Sequence, residues 1–252
     1  MALSGKSFLS QALNFLLPTP CVVCGQMLRT EHLVGVCHEC WGELETYSNF
    51  CACCGKPFAS EQAAQASPSY ICGECRDGDK SYFSYARSAG LYRGAMRELI
   101  QAFKYHDKPH LGNYLADWML ENIPQDIVLD DIDAIVPVPL HISRLRQREY
   151  NQAQILADSV GRSLGKPVVT DGLYRKTFEQ PQVGLPQHLR RENIRGAFGV
   201  RQPHSLANRK LLLVDDVYTT GATARECAKA LLSASAAEVR VLTLAHTPDV
   251  HL

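Results

Sequence analysis

The sequence carries no net charge, no long apolar run and no nucleotide P-loop, and each absence removes a class of protein. Lys and Arg together number 26 and Asp and Glu number 26, so overall charge points to no partner and its distribution has to be followed instead. No stretch of 18 or more apolar residues occurs, which argues against a membrane span. The pattern GxxxxGK(S/T) is missing, which excludes the phosphate loop of nucleoside triphosphatases. Near the start, FLSQALNFLLPTP is apolar, but Gln11 and Asn14 interrupt it and no small-x-small cleavage signal closes it. A short amphipathic helix and a cytoplasmic location are therefore expected rather than a secretory leader. There is no low-complexity tract. What remains is 252 residues, 46% hydrophobic and 21% charged, enough for a full core in one large and one small domain.

Cysteine, by contrast, is abundant. Eight of the ten fall into four CxxC pairs: Cys21/Cys24, Cys37/Cys40, Cys51/Cys54 and Cys72/Cys75. One CxxC turn offers two thiolates to a metal and two turns complete a tetrahedral site, so two tandem zinc ribbons and two structural Zn²⁺ ions are expected. Sequential pairing leaves intervals of 12 and 17 residues, both suited to a ribbon hairpin, while interleaved pairing stays open. Disulfides need an oxidising compartment, and a thioredoxin-like site needs one CxxC rather than four in series. Cys53 could replace Cys54 as a ligand in CACC. His38 is read as a bystander and Cys227 as a core residue.

Charge is uneven along the chain. Residues 1–80 hold 5 Lys/Arg against 8 Asp/Glu, and residues 141–210 hold 13 against 5. The zinc segment is acidic, and two Zn(Cys)₄ centres make it more so, which argues against phosphate binding there. The anion site belongs to the second domain. A boundary near residue 80 is expected, giving a zinc-ribbon domain at 1–80 and a larger domain at 81–252. EQAAQASPSY, 61–70, is read as an exposed insertion and RDGDKS, 76–81, as the linker. Beyond it, strands are expected at 85–92, 132–138, 211–214 and 239–245, and helices at 94–103, 111–123, 151–164 and after residue 223. Such alternation predicts a parallel sheet covered on both faces, with ligands at the carboxyl ends of the strands, where Val138 and Val214 release the chain.

One of those ends is chemically distinctive. Leu211 to Thr223 reads LLLVDDVYTTGAT: an apolar strand, two carboxylates, and a small hydroxyl-rich turn entering a helix. A strand-to-helix turn directs free N–H groups and the positive helix end at an anion. Gly221 permits close approach of the backbone, and Thr219, Thr220 and Thr223 add donors. Asp215 and Asp216 repel an anion, so hydroxyls or hydrated Mg²⁺ are their partners. The competing reading is an ordinary buried strand ending in acidic residues. The stretch resembles the phosphoribosyl-pyrophosphate (PRPP) motif of type I phosphoribosyltransferases. That resemblance implies that Asp215 and Asp216 hold the ribose hydroxyls while Val217, Tyr218, Thr219, Thr220, Gly221, Ala222 and Thr223 wrap the 5′-phosphate.

Two further segments bear on the same sheet edge. In Val136 to Ala157, VPVPLHISRLRQREYNQAQILA, Arg144, Arg146 and Arg148 alternate. An extended chain would put all three on one side as a pyrophosphate clamp, whereas a helix would turn Arg146 away. A solvated basic loop is the alternative. Arg175 to Phe198 has the length and polarity of a lid that could bring Lys176, Gln180, Arg190 and Arg191 over the site. Tyr150, Tyr174 and Phe178 are candidate stacking residues, although buried packing is the commoner fate of such rings.

Together, VPVPL, the RxR loop running into NQAQILA, RKTFEQPQVGLPQHLRRENIRGAF, the PRPP-like motif and the double zinc ribbon resemble the ComF/GntX family over nearly the whole chain. One departure is visible: the family commonly shows RGFNQ where this chain has Arg148, Glu149, Tyr150, Asn151 and Gln152. The resemblance implies a type I phosphoribosyltransferase-like sheet with helices on both faces, preceded by a small double zinc ribbon, and a link to competence, DNA uptake and the use of DNA as nutrient. It implies PRPP with Mg²⁺ as ligand. If the domain turns over, Arg144, Arg146, Arg148 and Lys176 would stabilise the departing pyrophosphate. A different class remains open, a binding protein that grips nucleotides or single-stranded DNA alongside DNA-uptake proteins.

Overall fold

The computed structural model describes residues 20–28, 35–58, 70–78, 81–105, 108–176, 194–201 and 203–248. Almost all of the expected N-terminal helix and of the 61–70 insertion, and the lid candidates Gln180, Arg190 and Arg191, lie outside the described residues. In chain order the elements begin with α1 (His38–Gly42), α2 (Gly73–Asp77), β1 (Ala86–Leu91), α3 (Gly94–Tyr105) and α4 (Leu111–Asn122). They continue with β2 (Ala134–Pro137), α5 (Ile142–Arg148), α6 (Gln152–Leu164), β3 (Leu173–Arg175) and β4 (Phe198–Val200). α7 (Pro203–Leu206), β5 (Lys210–Tyr218), α8 (Ala222–Ser233) and β6 (Glu238–His246) complete the set.

Four strands form a parallel sheet in the order β1-β6-β5-β2, and β3 and β4 make a separate antiparallel pair. The apolar runs that predicted strands are buried on both sides, as parallel sheets require. Leu212, Val214, Leu242 and Leu244 pack with Met96, Leu99, Phe103, Leu115, Leu156 and Val160 from α3, α4 and α6. Leu211, Leu213, Val239 and Val241 pack with Cys227, Ala228 and Leu231 of α8, and with Leu173 and Phe198 of the small hairpin. Cys227 is thus the core residue its helical spacing indicated. Each fully buried side chain of this kind contributes about 1.5–3 kcal/mol, so the two layers fix the sheet and with it the strand ends.

The zinc-binding segment closes an edge of this sheet. Ala86 N–H donates to Cys53 O at 2.8 Å and Leu91 N–H to Glu45 O at 2.9 Å, so the free side of β1 is occupied rather than left as an open edge. Arg87 anchors the contact: it pairs with Asp126, donates to Ala52 O at 3.1 Å and lies 4.8 Å from the Phe50 ring centroid. The approach is close, because a Cβ on Gly55 would stand 2.6 Å from Ala86 O.

Two local expectations are corrected. β5 does not end at Val214 but runs through both acidic residues to Tyr218, with Asp215 opposite Thr243 and Tyr218 opposite His246. The arginine-rich segment is not extended. Residues 142–148 are helical, started by His141, whose Nδ1 accepts from Ser143 N–H at 3.3 Å, and ended by Glu149 at φ 64°. The three guanidiniums therefore do not share one side: Arg146 turns away from Arg144, and Arg148 is buried.

Glu149 occupies the position where the family pattern carries Gly. A non-glycine residue in left-handed backbone costs about 1 kcal/mol, and its N–H still closes the helix on Leu145 O at 2.8 Å. Glu149→Gly is accordingly expected to raise stability by ~0.5–1 kcal/mol, seen as a higher denaturant midpoint at unchanged slope. A lower midpoint would mean that the Glu149 side chain contributes more than the strain removes.

Candidate functional site

The two four-cysteine groups assemble as sequential pairs. Cys21, Cys24, Cys37 and Cys40 form one group, Cys51, Cys54, Cys72 and Cys75 the other, with the four sulfurs of each within 4.8 Å of one another. The first CxxC of each group is held by its own turn: Gly25 N–H donates to Cys21 O and Gly55 N–H to Cys51 O, both at 2.9 Å. The opposing knuckles point backbone donors at sulfur, Cys37 N–H to Cys21 Sγ at 3.4 Å and Cys72 N–H to Cys51 Sγ at 3.3 Å. Cys24 and Cys37 sulfurs lie 3.8 Å apart and Cys54 and Cys72 sulfurs 3.7 Å. A tetrahedron with Zn–S bonds of about 2.3 Å has edges of roughly 3.8 Å, so both groups fit zinc. Cys53 lies outside its group, with its sulfur 3.1 Å from Ser81 Oγ, and His38 is not among the clustered ligands.

The acid pair sits at the far end of β5. Successive strand residues point to opposite faces, and the two carboxylates meet different surroundings. Asp216 accepts an ion pair from Lys104 Nζ of α3 at 3.0 Å. One Asp215 oxygen accepts from Asp216 N–H at 2.9 Å. The second oxygen of each carboxylate makes no hydrogen bond or ion pair among the described residues. Burial, followed by the Asp216 charge, pushes the Asp215 carboxyl up to about 7, against the pull of the Asp216 N–H and Lys104. Burial, and secondarily the Asp215 charge, pushes the Cys227 thiol up.

This shift predicts a pH dependence. A carboxyl raised on folding adds stability that is complete below its unfolded value, near 4, and is lost as pH rises through its folded value of about 7. Between those limits the Asp215 share should fall by up to ~1.4 kcal/mol per pH unit. Unfolding of wild type and Asp215→Asn across this range should show the difference, and parallel curves would contradict it.

Beyond the carboxylates the backbone turns through Thr219 and Thr220 into α8. Gly221, the N-cap, has φ 71° and no side chain caps the helix. The hydroxyls of Thr219, Thr220 and Thr223 make no hydrogen bond among the described residues, and Thr220 O is held by Arg225 Nη2 at 2.9 Å. Tyr218 packs beneath: its ring is 4.9 Å from that of His246, and a Cβ on Gly221 would fall 2.1 Å from its hydroxyl. The Tyr218 hydroxyl is buried without a hydrogen-bond partner. Free helix N–H groups and open hydroxyls around one turn are the kinds of donor that suit an anion.

The neighbouring segment positions rather than clamps. Tyr150 donates to Phe103 O, Gln152 Nε2 to the same oxygen at 3.5 Å, and Asn151 Nδ2 to Val138 O at 3.0 Å. They tie the end of α3, and with it Lys104, to the end of β2, where Val138 N–H pairs with Val214 O at 2.9 Å. Tyr150 is thus a packing and capping residue, its ring 6.0 Å from Phe103. Arg144 is exposed; burial, then the Arg144 charge, lowers the pKa of Arg175, and burial, then Arg175 and Arg144, lowers that of His141. Lys176 is exposed beyond β3, its N–H on Ala197 O at 2.8 Å. Tyr174 lies beneath Arg201, whose guanidinium carbon is 5.3 Å from the ring centroid, and Phe178 is outside the described residues. Lys104 was not singled out from the sequence. Its signal is slight, a cation four residues after Ile100 at the margin of the apolar face of α3, between Phe103 and Tyr105 in sequence.

A cleft of 540 Å³ lies elsewhere, between the outer face of α8 and the β4–α7 region, lined by His204, Glu226 and Lys229 among others. It includes none of the acid-pair or turn residues. No helix among the described residues is long and apolar enough to cross a membrane.

A family model described as a double zinc ribbon domain matches residues 12–76. The chain is 30% identical to Competence protein F of Haemophilus influenzae over 84% of this chain and 90% of that protein. It is 28% identical to DNA utilization protein YhgH of Salmonella typhimurium, over 91% of this chain and 98% of that one. Competence protein ComFC of Bacillus subtilis is 27% identical over 83% of each. Among solved structures, a glutamine phosphoribosylpyrophosphate amidotransferase from B. subtilis complexed with ADP and GMP is similar at 19% identity and a TM-score of 0.36. That match covers 57% of this chain and 30% of the enzyme, too distant a likeness to bear on function.

Proposed function

Because the chain belongs to the family of Competence protein F, ComFC and DNA utilization protein YhgH, we propose that it binds PRPP or a related phosphorylated ribose during the use of imported DNA. One observation carries this reading: a carboxylate pair with one open oxygen each, ending five residues before an uncapped helix start with φ 71° at Gly221. Open carboxylate oxygens accept ribose hydroxyls, and the turn from Val217 to Thr223 supplies donors for the 5′-phosphate. Mg²⁺ accompanies PRPP as counter-cation to its phosphates, and hard oxygen ligands suit it. Arg144 and Lys176 are the exposed cations offered to the pyrophosphate; Arg146, which turns away from Arg144, and Arg148 contribute less directly.

The acidic zinc segment, bounded near residue 80, serves as a structural clamp on β1 and as a docking surface for proteins of DNA uptake. A cytoplasmic setting, where thiols stay reduced, suits its eight ligands. The names of the relatives and the +8 balance of residues 141–210 favour a second reading in which the same phosphates belong to single-stranded DNA. Thermal unfolding with and without PRPP and Mg²⁺ tests the first reading. Wild type should be protected, by about 2.7 kcal/mol at a hundredfold excess over Kd, and the Asp215→Ala, Asp216→Ala double variant should not. An unprotected wild type contradicts the proposal. Competition between PRPP and single-stranded DNA would place both on one phosphate site.

A further inference from the structure

The sequence offers no acceptor site, yet one feature at the end of α3, next in sequence to the cation that pairs with Asp216, has the chemistry of one. Tyr105 closes α3 directly after Lys104, which is committed to Asp216 at 3.0 Å, and is itself 54% exposed. Arg148 backs it: Nη2 donates to the Tyr105 hydroxyl at 2.7 Å, and the guanidinium carbon lies 4.6 Å from the ring centroid. Arg148 is 7% exposed and has no carboxylate partner among the described residues. Its Nη1 donates to Gln152 Oε1 at 3.2 Å, and its Nε has no partner. Burying a cation is costly, and among the described residues this one is used to orient an exposed ring. Ile142 and Leu145 precede Arg148 at three-residue steps along α5 and are also exposed.

We propose that Tyr105, held by Arg148, is a stacking platform for a planar heterocyclic base presented beside the acid pair. Bases stack on tyrosine rings and guanidinium planes without needing a particular edge, and a polarised ring next to a cation suits them. The inference rests on the sugar-phosphate reading of Asp215 to Thr223, which sets a ribose next to this ring. A free base and a base within a single strand would use the same surface.

The full-length zinc-loaded protein, as wild type, Tyr105→Ala and Tyr105→Phe, tests this with two probes. One is free 2-aminopurine with PRPP and Mg²⁺; the other is a short oligothymidylate carrying one 2-aminopurine. Stacking quenches the probe, so wild type and Tyr105→Phe should bind and quench. Tyr105→Ala should lose the quench and about tenfold in affinity. A response confined to the free base identifies an acceptor, and one confined to the strand identifies DNA. Binding and quenching by Tyr105→Ala equal to wild type in both arms, or no binding by wild type in either, overturns the platform. PRPP protection measured in parallel separates the two ideas. An unprotected wild type defeats the pocket reading by itself, whereas a protected wild type with an indifferent Tyr105→Ala defeats only the platform.

Discussion

Disrupting the second ribbon by Cys54→Ser is expected to destabilise the whole chain, by at least ~4 kcal/mol, rather than to melt a detachable appendage. Cys51, Cys54 and Cys72 belong to the same buried cluster as Val136, Leu213 and Leu231, so the ribbon has no separate interior to lose. Without a metal, four sulfurs within 4.8 Å of one another must be protonated or repel. The ribbon backbone also completes β1 through Cys53 O, and losing it uncovers a sheet edge. Cys53→Ser is the control. Cys53 lies outside the metal group and is half-buried, so its replacement should cost under ~1 kcal/mol. Denaturant unfolding followed by far-ultraviolet dichroism should give one cooperative transition that shifts with Cys54→Ser. A separate early transition, with the main midpoint unmoved, would show an independent zinc domain.

The second large effect is expected at Gly221. Alanine there meets two obstacles at once: φ 71°, and a Tyr218 hydroxyl 2.1 Å from the new methyl. The ring cannot step aside freely, because its far face is stacked on His246 at 4.9 Å. A cost of ~2–4 kcal/mol follows from strain and overpacking together. PRPP protection should disappear as well, since the turn must shift to accommodate the methyl. Adding Tyr218→Leu should recover the part due to crowding and leave the part due to φ, so the double variant falls between wild type and Gly221→Ala. Full recovery would mean that backbone conformation contributes nothing.

Much of this architecture was readable from local pattern. The strand at 211–214, the helix at 151–164 and the four CxxC pairs carry their signals within a few residues, and each is found where its spacing indicated. The acid pair misled about where β5 ends, because carboxylates interrupt an apolar run although a strand end can hold them when an ammonium such as Lys104 reaches across. Alternating arginines suggested an extended chain. The helix wins because His141 caps its start, and Glu149 accepts a left-handed conformation at its end. That second device was visible in outline, as the place where the family pattern has Gly.

What stayed hidden depends on contacts distant in sequence. Lys104 and Asp216 are 112 residues apart, and Arg148 reaches Tyr105 across 43. Neither pairing leaves a periodic trace. The sequence pointed to a pocket with basic residues near it; among the described residues, the cation paired with Asp216 comes from α3, and one of the predicted clamp residues supports an aromatic ring instead.

The most direct measurement is phosphorus magnetic resonance of PRPP with Mg²⁺ during titration with the zinc-loaded protein. If the turn from Val217 to Thr223 holds the 5′-phosphate, as proposed, its resonance should shift or broaden with wild type and stay unperturbed with Gly221→Ala. A 5′-phosphate signal indifferent to wild type, or perturbed equally by Gly221→Ala, would contradict it.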